Sequence, residues 1–133
     1  MKNKLLIFLG IVVFFQFSFS LTCMKLNYYE VGKDKVVYKR LQEDLSVEVK
    51  NADRDSFKTL DEYIGIDKNF VYYKGKKIKN IEAESFEITK RSAPKYFSPS
   101  GVVCIAPDIE EFKDKNGVYE IEDIKNGKLK LEK

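Results

Sequence analysis

Residues 67–88 read DKNFVYYKGKKIKNIEAESFEI, and this stretch decides the fold class. Phe70–Tyr73 is a short run of aromatic and β-branched residues, which favours a strand. Lys74-Gly75 then predicts a turn, because glycine readily takes a positive φ, and Lys76–Ile78 resumes as a second strand. After an acidic turn, Phe86-Glu87-Ile88 alternates apolar and charged residues, which predicts a third strand with both apolar side chains on one face.

Parts of this stretch recur along the chain. Residues 49–58 (VKNADRDSFK) and 78–87 (IKNIEAESFE) share the order apolar-Lys-Asn-apolar-acid-x-acid-Ser-Phe-charged. Residues 67–73 (DKNFVYY) resemble residues 114–119 (DKNGVY), and residues 34–38 (DKVVY) form a shortened copy. Internal self-similarity of this kind indicates a protein built from repeated units.

We therefore predict one β-rich domain over residues 21–133. It contains a clean unit at 67–88, a divergent unit at about 34–60 and a partial unit at 114–131. The fold class is mainly β, an antiparallel meander of short β-hairpin repeats with room for one short helix.

The remaining elements are predicted from the same signals. Phe57–Ile64 fits either a short helix or a strand, and Ser92–Gly101, with two prolines, is the longest loop. Asn126-Gly127 predicts a type I′ hairpin turn, with alternating residues at Lys128–Leu131 after it. Further strands are expected at Thr22–Tyr29, Lys35–Tyr38, Leu45–Val49, Val102–Ala106 and Val118–Ile121.

The first residues have the layout of a secretory signal peptide. Lys2 and Lys4 precede an apolar run at residues 5–15, and Ser18 and Ser20 supply small residues before a cut. We predict a signal peptide over residues 1–20. The alternative is an uncleaved membrane anchor, but the run from Leu5 to Leu21 is interrupted by polar residues and is short against the roughly 20 residues of a membrane span. No transmembrane span is expected in the mature chain.

Cys23 and Cys104 are the only two cysteines. In an exported chain an even count favours a disulfide between them. The alternative is a lipid anchor on Cys23, although Ser20 and Thr22 match the usual lipoprotein pattern poorly. The predicted location is the periplasm or the extracellular space, with lipid anchoring as the alternative.

Composition argues against several functions. Without the two leader lysines the chain has 24 − 2 = 22 basic and 21 acidic residues, so it offers no electrostatic footprint for nucleic acid. It has no histidine, the commonest general base and metal ligand. There is no phosphate-binding glycine loop and no CxxC pair, and we expect no cofactor, no metal and no catalytic residues.

The clean unit resembles the repeat of the DKNYY family of exported bacterial proteins. In that repeat an Asp-Lys-Asn-x-Val-Tyr-Tyr run precedes a glycine turn, an acidic turn and a Phe-x-hydrophobic strand. The resemblance covers about half of the mature chain, and Ile81-Glu82-Ala83 departs from it, standing in place of an Ala-Asp-Pro turn. It implies an exported repeat protein but no reaction or ligand. The matching motif residues are Asp67, Lys68, Asn69, Val71, Tyr72, Tyr73, Gly75 and Phe86.

Three groups of residues could be interpreted as binding or catalytic sites, but each has a simpler structural interpretation. Asp114, Asn116 and Gly117 resemble part of a calcium loop, but the ligand spacing fails, which favours an Asx turn. In Tyr28-Tyr29 and Tyr72-Tyr73 one ring should be buried and its neighbour half-exposed, because adjacent strand residues point to opposite faces.

The third group is acidic. The pairs Asp53/Asp55 and Glu82/Glu84 lie in polar turns, which indicates surface charge in place of a hydrolase acid and base.

We expect a non-enzymatic envelope or periplasmic scaffold that binds a protein or peptide partner through exposed strand edges. The first alternative is an inhibitor or immunity-type protein that caps one enzyme or toxin. The second is a hydrolase that uses carboxylates such as Asp53 and Glu84.

Overall fold

The computed structural model describes residue 23, residues 25–96 and residues 104–133. The predicted signal peptide lies outside these residues, as does part of the predicted loop at Ser92–Gly101. The described chain contains a 3-10 turn at Leu41–Glu43, one helix, α1 (Ile121–Lys125), and twelve short strands. The strands are β1 (Asn27–Val31), β2 (Val36–Arg40), β3 (Leu45–Glu48), β4 (Lys58–Thr59), β5 (Ile64–Ile66), β6 (Val71–Tyr73), β7 (Lys76–Lys77), β8 (Glu87–Arg91), β9 (Lys95–Tyr96), β10 (Cys104–Ile105), β11 (Ile109–Asp114) and β12 (Gly117–Glu120).

The strands form four small sheets, and every pairing is antiparallel. The sheet orders are β1-β2-β3, β4-β5-β6-β7, β12-β11-β8 and β10-β9. An isolated bridge between Ile78 and Leu131 brings the end of the chain against the residue that directly follows β7. The mainly β, antiparallel fold class is confirmed.

The predicted central hairpin is confirmed as β6, a two-residue turn and β7. Lys74 and Gly75 have φ values of 48° and 81°, as a type I′ turn requires. A Cβ on Gly75 would lie 2.9 Å from the Cβ of Tyr38, so glycine is needed for space as well as for conformation. The third strand of the unit, β8, leaves the hairpin and pairs with β11, while Phe86 and Ile88 pack against one core as predicted.

Two predictions near the C-terminus are wrong. The residues after β12 form α1, which a reciprocal capping box between Glu120 and Asp123 begins. Asn126 has a φ of −87° and lies at the end of this helix, so Asn126-Gly127 is a helix terminus, not a hairpin turn. Lys128–Leu131 contributes only the bridge at Leu131, where an alternating strand was expected.

Two other regions refine the prediction. Phe57–Ile64 is neither one helix nor one strand, since it contains β4, a bend and the first residue of β5. The predicted loop at Ser92–Gly101 contains β9, whose Tyr96 pairs with Cys104 of β10. Pairing with β10, eight to ten residues further along the chain, makes a strand of a segment whose composition is typical of a loop.

Strand β6 divides the hydrophobic core into two clusters. Val71 and Tyr73 belong to one cluster with Ile64, Phe112 and other residues, whereas Tyr72 belongs to a second cluster with Tyr38 and others. The strand is therefore covered on both faces, which explains three buried residues in a row. The expectation that one ring of Tyr72-Tyr73 is half-exposed is wrong, because neither face of β6 meets solvent.

A disulfide joins Cys23 to Cys104 on β10, across a sequence separation of 81. A sulfur in this bond cannot also carry a lipid thioether, so the arrangement favours the disulfide over the lipid anchor. Among the described residues, no helix has the length and apolar character needed to cross a membrane.

Candidate functional site

The first Asp-Lys-Asn turn is held by the carboxylate of Asp67, which is 4% exposed. Its Oδ1 accepts hydrogen bonds from the backbone N–H groups of Asn69 (2.8 Å) and Phe70 (2.7 Å). Its Oδ2 accepts from the backbone N–H of Asp53 (2.7 Å) and from the hydroxyl of Tyr72 (2.8 Å). One side chain therefore shapes its own turn and attaches a second, distant turn to it.

The second Asp-Lys-Asn turn repeats this arrangement around Asp114. Its Oδ1 accepts from the backbone N–H groups of Asn116 (2.8 Å) and Gly117 (3.2 Å). Its Oδ2 accepts from the backbone N–H of Glu82 (2.9 Å). Both oxygens are engaged by N–H donors, so the Asx-turn interpretation is confirmed over the calcium loop.

We call each place where one of these aspartates binds the backbone of a second turn a joint. A serine adds further hydrogen bonds to the first joint, which connects the turns of Asp53 and Asp67. Ser56 donates its hydroxyl to the carboxylate of Asp53 and accepts the backbone N–H of Lys68 at 3.0 Å. The Ser56 hydroxyl, with smaller help from Lys68, holds the pKa of Asp53 below its usual range. These contacts give the Ser and the first acid of the repeated motif a shared structural role.

The second joint uses the corresponding residues. Ser85 donates to the carboxylate of Glu82 and accepts the backbone N–H of Lys115 at 2.9 Å. The Lys115 ammonium pairs with Glu82 and, with Ser85, lowers the pKa of that carboxyl. The other acids of the two motifs, Asp55 and Glu84, are exposed. In each predicted acidic pair the first acid, Asp53 or Glu82, therefore belongs to a joint, and the second is exposed on the surface.

The other motif residues lie around these joints. Tyr72 packs against Phe57 and Phe86 against Phe112, with ring centroids 5.9 Å and 5.3 Å apart. Lys68 and Asn69 are exposed, whereas Val71 is fully buried. The structure brings the motif residues together as a packing and turn framework, and of the eight only Gly75 and Tyr73 line the described clefts, each a different one.

A groove beside β3 is one of several openings in the surface of the described residues. Its volume is about 360 Å³, and Val47 and Glu48 of β3 form one wall. Lys50, Lys76 and Lys133 also line it, and within the described residues none of these three ammonium groups has a carboxylate partner. The groove is therefore basic and runs along an edge strand. We call it the β3 groove.

Another opening lies at the bend between β4 and β5, a segment that the sequence analysis did not identify as a candidate site. Asp61 and Glu62 are 7% and 6% exposed, although acidic residues are seldom buried. Oδ1 of Asp61 accepts the backbone N–H groups of Tyr63 (2.8 Å) and Ile64 (2.6 Å). The available signal was two consecutive acids within an otherwise apolar run, between Leu60 and Ile64.

Two small clefts meet at this bend. One, of about 210 Å³, is lined by Asp61, Tyr63, Tyr73, Lys74 and Asp108 among others. The other, of about 130 Å³, is lined by Tyr38 and shares Tyr63 and Lys74 with the first. We call the bend and both clefts the Asp61 corner.

These observations define a class: a small antiparallel β protein assembled from repeated, aspartate-anchored turns. The chain belongs to the DKNYY family, whose family model matches residues 24–133. The match confirms the resemblance and extends it over almost all of the chain after the predicted leader. No curated protein and no solved structure matches the chain.

Proposed function

We propose that this protein is an exported, non-catalytic binding module that takes an extended, acidic segment of a partner protein along the edge of β3. The observation that carries the proposal is the unpaired outer edge of β3 beside a lysine-lined groove. An edge strand offers backbone donors and acceptors to an added strand, and groove side chains supply specificity.

The pairing of β3 with β2 identifies which backbone groups are free. The N–H of Val49 donates to the carbonyl of Val36, so this pair and every second pair along the ladder are hydrogen-bonded. Ser46 and Glu48 fall between those pairs, and their N–H and C=O groups point away from β2. In the described chain no other backbone group bonds to them.

Charge and exposure favour an acidic partner strand. The lysines of the β3 groove without carboxylate partners attract an acidic segment and disfavour a basic one. Leu41, in the 3-10 turn before β3, and Leu45, the first residue of the strand, are 57% and 44% exposed and offer apolar contact to the same segment.

Two features support a role without catalysis. The chain has no histidine, and the carboxylate of Asp53 is engaged in a joint between turns. Glu84, the other acid of the hydrolase alternative, is exposed on the surface.

Export is supported by the predicted leader and by the disulfide, since disulfides persist in oxidising compartments. The intact mass of protein recovered from a bacterial envelope, with and without reductant, tests it. A mass that starts at Leu21 and gains two hydrogens on reduction is expected. A mass that retains residues 1–20 would contradict cleavage of the predicted leader, whereas a mass that starts at an acylated Cys23 would contradict the disulfide and mean an exported, lipid-anchored protein.

The binding experiment uses Ser46→Pro with Ser46→Ala as its matched control. Proline removes the outward N–H and leaves the ladder to β2 intact, whereas alanine keeps the N–H. The probe is a peptide of alternating glutamate and valine, titrated by calorimetry. We expect Ser46→Pro to bind at least about tenfold more weakly than Ser46→Ala.

A pair of charge-reversal variants tests whether the lysines of the β3 groove contribute to binding. The double reversal Lys50→Glu/Lys76→Glu should abolish binding, while Lys58→Glu/Lys95→Glu, outside the groove, should preserve it. A peptide of alternating lysine and valine should not bind. Equal binding by Ser46→Pro and Ser46→Ala, or by the two peptides, would overturn the proposal.

A further inference from the structure

The Asp61 corner concentrates unpaired polar atoms. Within the described residues, three buried side-chain oxygens have no hydrogen-bond partner: the Tyr38 hydroxyl, Oδ2 of Asp61 and Oε1 of Glu62. Asp61 and Glu62 are consecutive in the bend, and Tyr38 lines the smaller of the two clefts there. The exceptions to complete hydrogen bonding thus fall in one region of the molecule.

Unpartnered buried oxygens of this kind lower the stability of the folded protein. A buried polar group without a partner costs about 1–3 kcal/mol, and more when it is charged. Asp61 cannot turn to relieve the cost, because its other oxygen is held by two backbone N–H groups. Burial accordingly raises the pKa of Asp61. A partner for Oδ2 would remove this penalty.

The walls of the larger cleft indicate which partner suits it. Asp61 and Asp108 supply carboxylates, and the rings of Tyr63 and Tyr73 lie 6.2 Å apart. The Lys74 ammonium lies 5.3 Å from the centroid of Tyr63 and 5.4 Å from that of Tyr73. Aromatic faces beside carboxylates attract organic cations, and the corner already holds one of its own.

The other positive charges nearby are committed elsewhere. Lys125 also lines the cleft, but its ammonium binds Glu122 at 2.7 Å. Arg91, close enough to lower the pKa of Asp61, donates to the carbonyl oxygen of Leu60 at 3.2 Å. Lys74 is exposed and has no carboxylate within ion-pair distance in the described chain.

We propose that the Asp61 corner binds an alkylammonium or guanidinium group, which pairs with Oδ2 of Asp61 between Tyr63 and Tyr73 and displaces Lys74 from the two rings. A volume of about 210 Å³ suits a single basic side chain or a small amine better than a larger ligand. The group comes from a basic residue of a partner or from a free amine. The site is separate from the β3 groove and stands independently of it.

The test uses the oxidised chain from residue 21 and n-butylammonium as the probe, followed by NMR chemical shifts. Lys74→Met removes the resident ammonium and keeps the length of the side chain. We expect Lys74→Met to bind n-butylammonium at least about tenfold more tightly than the unaltered protein, with shifts centred on Tyr63 and Tyr73. Lys76→Met, in the same hairpin but outside this cleft, should bind as the unaltered protein does.

Asp61→Asn in the Lys74→Met background should abolish binding, and its retained NMR spectrum would show that the fold is intact. If the double variant fails to fold, the neutral probe n-butanol and the anionic probe butyrate decide the question in Lys74→Met alone. Binding of either one as tight as that of n-butylammonium overturns the proposal, as does the lack of any gain in Lys74→Met.

The same titration distinguishes the two sources. A capped Gly-Lys-Gly peptide that binds more tightly than putrescine would identify a partner's side chain, and the reverse order would identify a free amine. Failure of both while n-butylammonium binds would overturn the assignment to a partner's basic side chain and would leave a small monoamine as the ligand.

Discussion

The anchored turns and the Asp61 corner use the same residue type in opposite ways. At Asp67 and Asp114 every carboxylate oxygen accepts at least one hydrogen bond from the protein. At the Asp61 corner, one carboxylate oxygen on each of Asp61 and Glu62 has no partner. The difference shows that burial alone does not assign a role to an acid. Asp67 and Asp114, whose acceptors are all filled, hold turns of the fold, whereas Asp61 and Glu62 each keep one acceptor that the described residues do not fill.

The largest effect is expected for Asp67→Asn. In the variant, the amide nitrogen Nδ2 of the new asparagine would replace Oδ2 of Asp67. The backbone N–H of Asp53 and the hydroxyl of Tyr72 would then both lose their acceptor. We expect a loss of about 3–4 kcal/mol in the free energy of unfolding, measured by urea denaturation. Asp55→Asn, at an exposed position outside the joint, is the control. A loss below about 1 kcal/mol would mean that the joint does not hold the fold.

Asp114→Asn should cost less, about 2 kcal/mol. The lost acceptor serves one backbone N–H, that of Glu82, and a longer contact of 3.3 Å from the side chain of Asn116. No buried hydroxyl depends on it, unlike at Asp67. Measured in the same urea series, a larger loss for Asp114→Asn than for Asp67→Asn would contradict this ranking.

The serines of the two joints should contribute about 1 kcal/mol each. Ser56→Ala and Ser85→Ala each remove one acceptor for a backbone N–H and one donor to an acid. Because the joints are separate, the two losses should add within about 0.5 kcal/mol in the double variant. A double variant no less stable than either single variant would indicate that the serines do not act in separate joints.

The smallest change in stability at neutral pH is expected for Asp61→Asn, at most about 1 kcal/mol in either direction. The amide oxygen can still accept from Tyr63 and Ile64, while the desolvated charge is removed. This variant separates the Asp61 corner from the anchored turns, where the same substitution is expected to be costly.

The pH dependence should differ in sign between the two regions. Burial raises the pKa of Asp61 in the folded state, so folded protein binds more protons than unfolded protein above about pH 4, the ordinary range of an aspartate. Stability of the unaltered protein should then fall relative to Asp61→Asn as pH rises through that window. For Asp53, whose pKa is lowered by Ser56, the contribution is present above about pH 4 and is lost as pH falls. Parallel slopes for Asp61→Asn and Asp53→Asn would contradict this contrast.

The sequence predicted what is local and missed what depends on distant contacts. The hairpin of β6 and β7 follows from Lys74-Gly75 and its flanking β-favouring residues, all within a few positions. The pairing of β8 with β11 depends on chain segments on either side of Ser92–Gly101, which no local pattern specifies. The burial of Tyr72 and Tyr73 required knowledge that both faces of β6 are covered.

The candidate sites show the same division. Recurrence identified the acids and serines of the two joints as important, but not that Asp53 joins Asp67 or that Glu82 joins Asp114. The separation along the chain is 14 residues in the first case and 32 in the second, so spacing gave no guide. The Asp61 corner is assembled from β2, the bend and the β6–β7 turn, which only the folded chain brings together.

The disulfide has a mechanical consequence if the two ends of the described chain are pulled apart. If tension is applied between Cys23 and residue 133, the covalent bridge carries the load past everything between Cys23 and Cys104. Only the 133 − 104 = 29 residues beyond the bridge can lengthen, by roughly 100 Å at about 3.5 Å per residue. Reduction would release a further 81 residues, roughly 280 Å of hidden length. The joint between Asp53 and Asp67, which lies wholly inside the bridged loop, would then come under the same load as the joint between Glu82 and Asp114, and the chain between the two points of attachment would become much longer.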